Sequence, residues 1–126
     1  MILPPILLVF IGGGIGALCR YGFSWFITQF WGGGFPVGTL FVNLLGCFLI
    51  GIVYSLTQDS RILSPSTRLF LMTGLLGGFT TFSSYGLESV TLALQGEPLP
   101  ALINVMANNM VGFALVLAGI WMVKLF

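Results

Sequence analysis

Apolar runs long enough to cross a bilayer alternate along this chain with short breaks rich in glycine, proline and charge. A spanning helix needs about 20 mostly apolar residues. The pattern therefore predicts an all-α membrane protein: a single transmembrane domain over residues 1–126 with spans at about 4–30, 39–56, 68–94 and 100–124. Gly32-Gly33-Gly34-Phe35-Pro36 ends the first span. The loop Thr57 to Ser66, holding Asp59, Arg61 and Pro65, separates the second from the third. The turn Gln95-Gly96-Glu97-Pro98 ends the third, and Pro100 suits the opening of the fourth, where a missing N–H costs nothing.

The departures from this apolar pattern carry the chemistry. Residues 77–89 read Gly-Gly-Phe-Thr-Thr-Phe-Ser-Ser-Tyr-Gly-Leu-Glu-Ser. An unpartnered polar group in hydrocarbon costs several kcal/mol, so such a run must line a cavity, bind a ligand or pack against protein. On a helix Thr81, Ser84 and Glu88 share one face, and Phe82 and Tyr85 occupy the adjoining one. An isolated Ser or Thr in a membrane helix usually bonds back to its own backbone. Five such residues, at positions 80, 81, 83, 84 and 89, exceed that default and point to an ion or solute path.

Gly74, Gly77 and Gly78 ahead of Phe79-Thr80-Thr81 predict a break in the third span. The carbonyls freed there suit a small, hard, monovalent cation, because no carboxylate lies close in sequence. In the second span Asn43 is the one strongly polar residue, a bridge to another helix or a donor to an anion. Asn104 and Asn108 fall on one face of the fourth span beside Asn109. The first span carries the small-xxx-small pair Gly12 and Gly16, which permits close helix approach. It also carries Tyr21, Trp25, Phe26, Phe30 and Trp31, an interfacial aromatic belt that puts Arg20 toward a membrane face.

Composition narrows the reading further. The chain is 57% hydrophobic and only 6% charged, with a mean hydropathy of +1.09, which excludes a soluble domain. A net charge of +1 argues against nucleic acid as a partner. Cys19 and Cys47 sit in apolar runs as small buried side chains, and without histidine they make a poor metal site. The chain has no phosphate loop and no nucleophile–base pair, so an enzyme is not expected. The first apolar stretch lacks a basic leader and is read as a span rather than a removable signal. Arg61, Arg68 and Lys124 lie on the side of the termini and Arg20 on the other, a bias weak enough to permit both orientations. Arg20 and Glu88 are the two ionisable groups at membrane depth, where such groups mark function.

The Gly77-to-Tyr85 run followed by Glu88, the segment Gly38-Thr-Leu-Phe-Val-Asn43-Leu, and the glycine-rich first helix ending in Arg20 together resemble the Fluc (CrcB) family of fluoride channels over essentially the whole chain. That resemblance implies a multi-pass protein of the inner cell membrane that lets fluoride leave passively and so limits its toxicity. It implies a dual-topology, antiparallel homodimer embedded in lipid, with two pores. It also implies a central structural Na⁺ held by the backbone carbonyls of Gly77 and Thr80. By the same resemblance the pore residues are Asn43, Phe82, Tyr85, Thr81, Ser84 and Asn109, with Arg20 at the vestibule. Tyr85 stands where the family usually has a second phenylalanine; its ring edge is retained and a hydroxyl is added. The rival reading is a proton-coupled small multidrug-type exporter, for which Glu88 is the sole candidate carboxylate.

Overall fold

The computed structural model of the chain describes residues 3–58 and 62–126, so Asp59 and Arg61 of the second loop lie outside the described residues. It is all-helical, with four helical passes. Helix α1 is Pro5–Trp31 and α2 is Val37–Leu56. The third pass comes in two pieces. Its first piece, α3, opens at Pro65–Arg68, widens into π turns over Leu69–Leu76 and closes at Gly77–Phe79. Its second piece, α4, is Phe82–Leu94. The fourth pass, α5, is Pro98–Lys124, with π turns at Ala107–Val111.

Helices α1, α2 and α5 are each long and apolar enough to cross a membrane. The 13 residues of α4 reach only about 20 Å, so the third pass can cross only as a pair of half-helices. Local chemistry sets the ends. Ser64 caps α3, accepting from Thr67 N–H at 3.1 Å, with Pro65 in the first turn. The turns after α1 and α4 use Gly34 and Gly96 at φ of 75° and 80°, a conformation that favours glycine. The fourth pass opens at Pro98, two residues ahead of Pro100, with Glu97 as its cap and Ala101 N–H already bonded to Glu97 O at 3.1 Å.

Backbone contacts, rather than a thick side-chain core, hold the passes together. A Cβ at Gly12 would meet Phe70 O at 2.8 Å, and one at Gly16 would collide with Leu75 O, so α1 rides directly on α3. On the other side a Cβ at Gly51 would strike Val116 O and one at Gly119 would strike Phe48 O, which locks α2 to α5. This is how membrane helices associate when lipid supplies no hydrophobic drive: small residues admit the neighbouring backbone and dispersion does the rest. Val42, Leu76 and Phe79 are among the few buried apolar side chains, whereas Phe10, Leu18, Phe113 and Trp121 face outward.

Candidate functional site

The third pass is interrupted by a gap between α3 and α4. Thr80 (φ −91°, ψ 160°) and Thr81 (φ −148°, ψ 120°) are both extended, so the helical hydrogen-bond ladder stops there. Glycines at 77 and 78 weaken the helix ahead of the gap, and the threonine hydroxyls take over from the ladder. Thr80 Oγ1 donates to Leu76 O at 3.1 Å, and Thr81 Oγ1 caps α4 by accepting Ser84 N–H at 3.2 Å.

Asn43, on α2, closes the exposed backbone. Thr81 N–H donates to Asn43 Oδ1 at 2.8 Å and Asn43 Nδ2 donates back to Thr81 O at 3.0 Å, so the amide pairs with Thr81 as a second peptide strand would. The other hydrogen of Nδ2 goes to Asn108 Oδ1 at 2.9 Å. Both amide hydrogens are thereby committed inside the protein, and Asn43 keeps none for an anion. Asn108 is braced in turn by Asn104, whose O and Oδ1 it reaches at 2.9 and 3.1 Å. Asn104, only 1% exposed, donates to Ser89 Oγ at 2.9 Å.

Two clefts meet at the gap. The outer one, about 450 Å³, is lined by Arg20, Thr39, Thr81, Ser84 and Glu88 among others. Thr39 Oγ1 donates to Glu88 Oε1 at 2.6 Å, while Glu88 Oε2 and Arg20 Nε are buried without a hydrogen-bond partner among the described residues. Thr81 Oγ1 donates to Ser84 Oγ at 3.1 Å, which leaves the Ser84 proton without an acceptor among the described residues. The inner cleft, about 310 Å³, is lined by Asn43, Thr81, Phe82, Tyr85, Asn108 and Asn109, with Gly77 and Thr80 at its wall. Thr81 belongs to both. The Phe82 and Tyr85 rings meet edge to face, centroids 5.4 Å apart at 74°, and Phe82 is 80% exposed.

The structure places Arg20, Ser84 and Glu88 in the outer cleft, Phe82, Tyr85 and Asn109 in the inner one, and Asn43 and Thr81 at the junction, whereas Asn104 is buried behind Asn108 and lines neither. Sequence reasoning missed Thr39, whose position in Gly38-Thr39 at the head of the second span was its only signal. It also missed the Asn43–Asn108 bridge. No His, Cys, Asp or Glu cluster able to hold a metal occurs among the described residues. The break does leave the Gly77 and Thr80 carbonyls with no hydrogen bond among those residues, because Thr81 and Ser84 N–H, their helical partners, bond to Asn43 and Thr81 Oγ1 instead. Neutral carbonyls of this kind fit a hard monovalent cation and nothing softer. The Phe82 and Ser83 amides likewise open α4 with no acceptor among the described residues.

Comparison with known proteins gives one consistent answer. Residues 7–120 match the family described as CrcB-like protein, Camphor Resistance (CrcB). A protein of Shewanella halifaxensis is 47% identical over 103 residues, 82% of each chain. One of Parabacteroides distasonis is 44% identical over 115 residues, 91% of this chain and 89% of its own. Each of the two is named as a fluoride-specific ion channel, FluC.

Proposed function

This chain belongs to the CrcB family and is a fluoride channel, a multi-pass membrane protein, and we propose that fluoride passes it passively, out of the cell, by way of the two clefts joined at Thr81. The observation that carries this reading is the gap itself: a break at membrane depth that gathers hydroxyls, free amides and ring edges around one threonine. Arg20 raises the local anion concentration at the outer cleft. The ion then takes a hydrogen bond from the Ser84 hydroxyl, whose proton is free because Thr81 Oγ1 donates to its oxygen, with the open amides of Phe82 and Ser83 adding the positive end of the α4 dipole. At the inner cleft it meets the electropositive edges of Phe82 and Tyr85.

Fluoride is small and tightly hydrated, so its water must be replaced by donors already held in place. In narrow, largely apolar surroundings each such donor is stronger than in water, and larger halides do not fit between them. Asn43 acts by holding the gap open rather than by touching the ion. Gly77 and Thr80 would hold the structural Na⁺, whose charge would offset part of the desolvation cost of the anion.

The functional unit we propose is an antiparallel homodimer. One chain leaves Phe82 largely bare and exposes apolar rings along its whole length, and its charge bias is weak enough to permit both orientations. A Gly33→Cys variant in sealed vesicles is expected to react with an impermeant thiol reagent about half from each side. Labelling from one side alone would contradict the opposed arrangement.

Passive conduction has its own test. Purified protein in liposomes is expected to release fluoride down its gradient at a rate set by membrane voltage and unaffected by an imposed pH gradient. Release driven by the pH gradient and lost in Glu88→Gln would point to a proton-coupled exporter instead.

A further inference from the structure

The conduction reading uses only the ring edge of Tyr85 and leaves its hydroxyl, paired with Asn109 in the inner cleft, without a part. Asn109, in the π turns of α5, donates one hydrogen of Nδ2 to Val105 O at 2.8 Å and the other to the Tyr85 hydroxyl oxygen at 2.9 Å. Tyr85 therefore accepts a hydrogen bond, and its own O–H has no acceptor among the described residues. The ring cannot swing freely to find one, because it is packed edge to face against Phe82 and the hydroxyl is tied at its far end. The widened turns at Ala107–Val111 are what bring an amide to this point, one position beyond the Asn104–Asn108 brace.

From this geometry we infer that Tyr85 is a fluoride-coordinating hydroxyl, aimed into the inner cleft and polarised by Asn109, so that Asn109 is its positioning residue. The inference rests on the reading of the inner cleft as part of the fluoride path. Its chemistry is that of a charge-assisted O–H···F⁻ bond, shorter and roughly twice as strong as a neutral one. Donation from Asn109 into the phenol oxygen strengthens the O–H donor cooperatively. A phenylalanine at this position would offer the ion only a ring edge. Tyr85 thus adds a tighter resting point, which deepens discrimination in favour of the best hydrogen-bond acceptor among the halides and holds each ion longer.

The test is a fluoride titration of flux through the reconstituted protein. Tyr85→Phe keeps the ring and removes the donor; the half-saturating fluoride concentration is expected to rise about tenfold or more, the ordinary worth of a hydrogen bond to a charged group. Asn109→Leu should shift it in the same direction by less. The double variant should match Tyr85→Phe, because Asn109 acts only through the hydroxyl. Unchanged saturation in Tyr85→Phe, or effects of the two changes that add, would overturn the inference while leaving fluoride conduction standing. No flux from the unaltered protein would instead remove the conduction reading, and the inference with it.

A spectroscopic readout keeps the test independent of how the variants fold. In protein carrying tyrosine labelled with ¹³C at the ζ carbon, the three tyrosines, Tyr21, Tyr54 and Tyr85, give separate probes. Added fluoride, but not chloride, is expected to move one of the three resonances. The moving resonance should be the one absent from Tyr85→Phe. If no resonance moves, or if another tyrosine's does, Tyr85 does not coordinate the ion.

Discussion

Asn43→Leu is expected to lower fluoride release by about one to two orders of magnitude while the protein still assembles, because each buried polar group left without a partner costs about 1–3 kcal/mol. The substitution removes three hydrogen bonds at once. Thr81 N–H loses its acceptor at 2.8 Å, Thr81 O loses its donor at 3.0 Å, and Asn108 Oδ1 loses the donor that ties α5 to the gap. The freed backbone has an obvious remedy: Thr81 N–H can return to the Gly77 carbonyl and close the gap as ordinary helix. That repair would merge α3 with α4, swing Thr81 out of the junction and disconnect the two clefts. The close backbone contacts of α1 on α3 at Gly12 and Gly16, and of α2 on α5 at Gly51 and Gly119, are left in place, so the folded protein should persist. Comparison of flux with the yield of folded protein checks both halves of the expectation. Full flux from Asn43→Leu would reduce Asn43 to an incidental bridge.

Removal of sodium is expected to have a comparable effect. Protein purified and reconstituted with a bulky organic cation in place of Na⁺ should lose most of its fluoride release and regain it when Na⁺ is restored. A ligand present at a hundred times its dissociation constant stabilises the state that binds it by about 2.7 kcal/mol, enough to decide whether an assembly holds together. The groups at stake are the Gly77 and Thr80 carbonyls, which have lost their helical donors to Asn43 and to the Thr81 hydroxyl. Left unmatched, they are a liability at membrane depth; matched by a monovalent ion, they become a reason for the break to persist. Indifference of sodium-free protein to the exchange would leave the two carbonyls without this ligand. Gly46 offers an internal control on the geometry. A Cβ there would collide with Thr80 Cγ2, so α2 presses the gap into shape from one side whatever the carbonyls hold.

Much of this arrangement was legible in the amino-acid order, and the boundary of what was legible is physical. Long apolar runs and their breaks identify helices in lipid because no other element satisfies its own backbone there. Gly77 and Gly78 followed by two threonines announced the interruption, since glycine weakens a helix and a hydroxyl competes with it. The spacing of Thr81, Ser84 and Glu88 placed them on one face, and all three line the outer cleft.

What sequence spacing does not encode is pairing between distant segments. Asn43 and Thr81 are 38 residues apart and Thr39 and Glu88 are 49 apart, and nothing in either segment names its partner. For the same reason the sequence leaves Asn43 open as a bridge to another helix or a donor to an anion, and the structure spends both of its hydrogens on Thr81 and Asn108. The π turns at Leu69–Leu76 and Ala107–Val111 were equally out of reach. They widen the helix by one residue per turn without any apolar signature, and they alter which amides of α5 point inward.

The account predicts a path that is narrow, nearly uncharged and fitted to the smallest halide. The measurement that bears on it most directly is the release of fluoride and of chloride from the same preparation of proteoliposomes, each followed by an ion-selective electrode after the potassium counter-current is opened. Rapid release of fluoride with chloride retained is the expected result. Chloride leaving as fast as fluoride, or neither leaving, would contradict it.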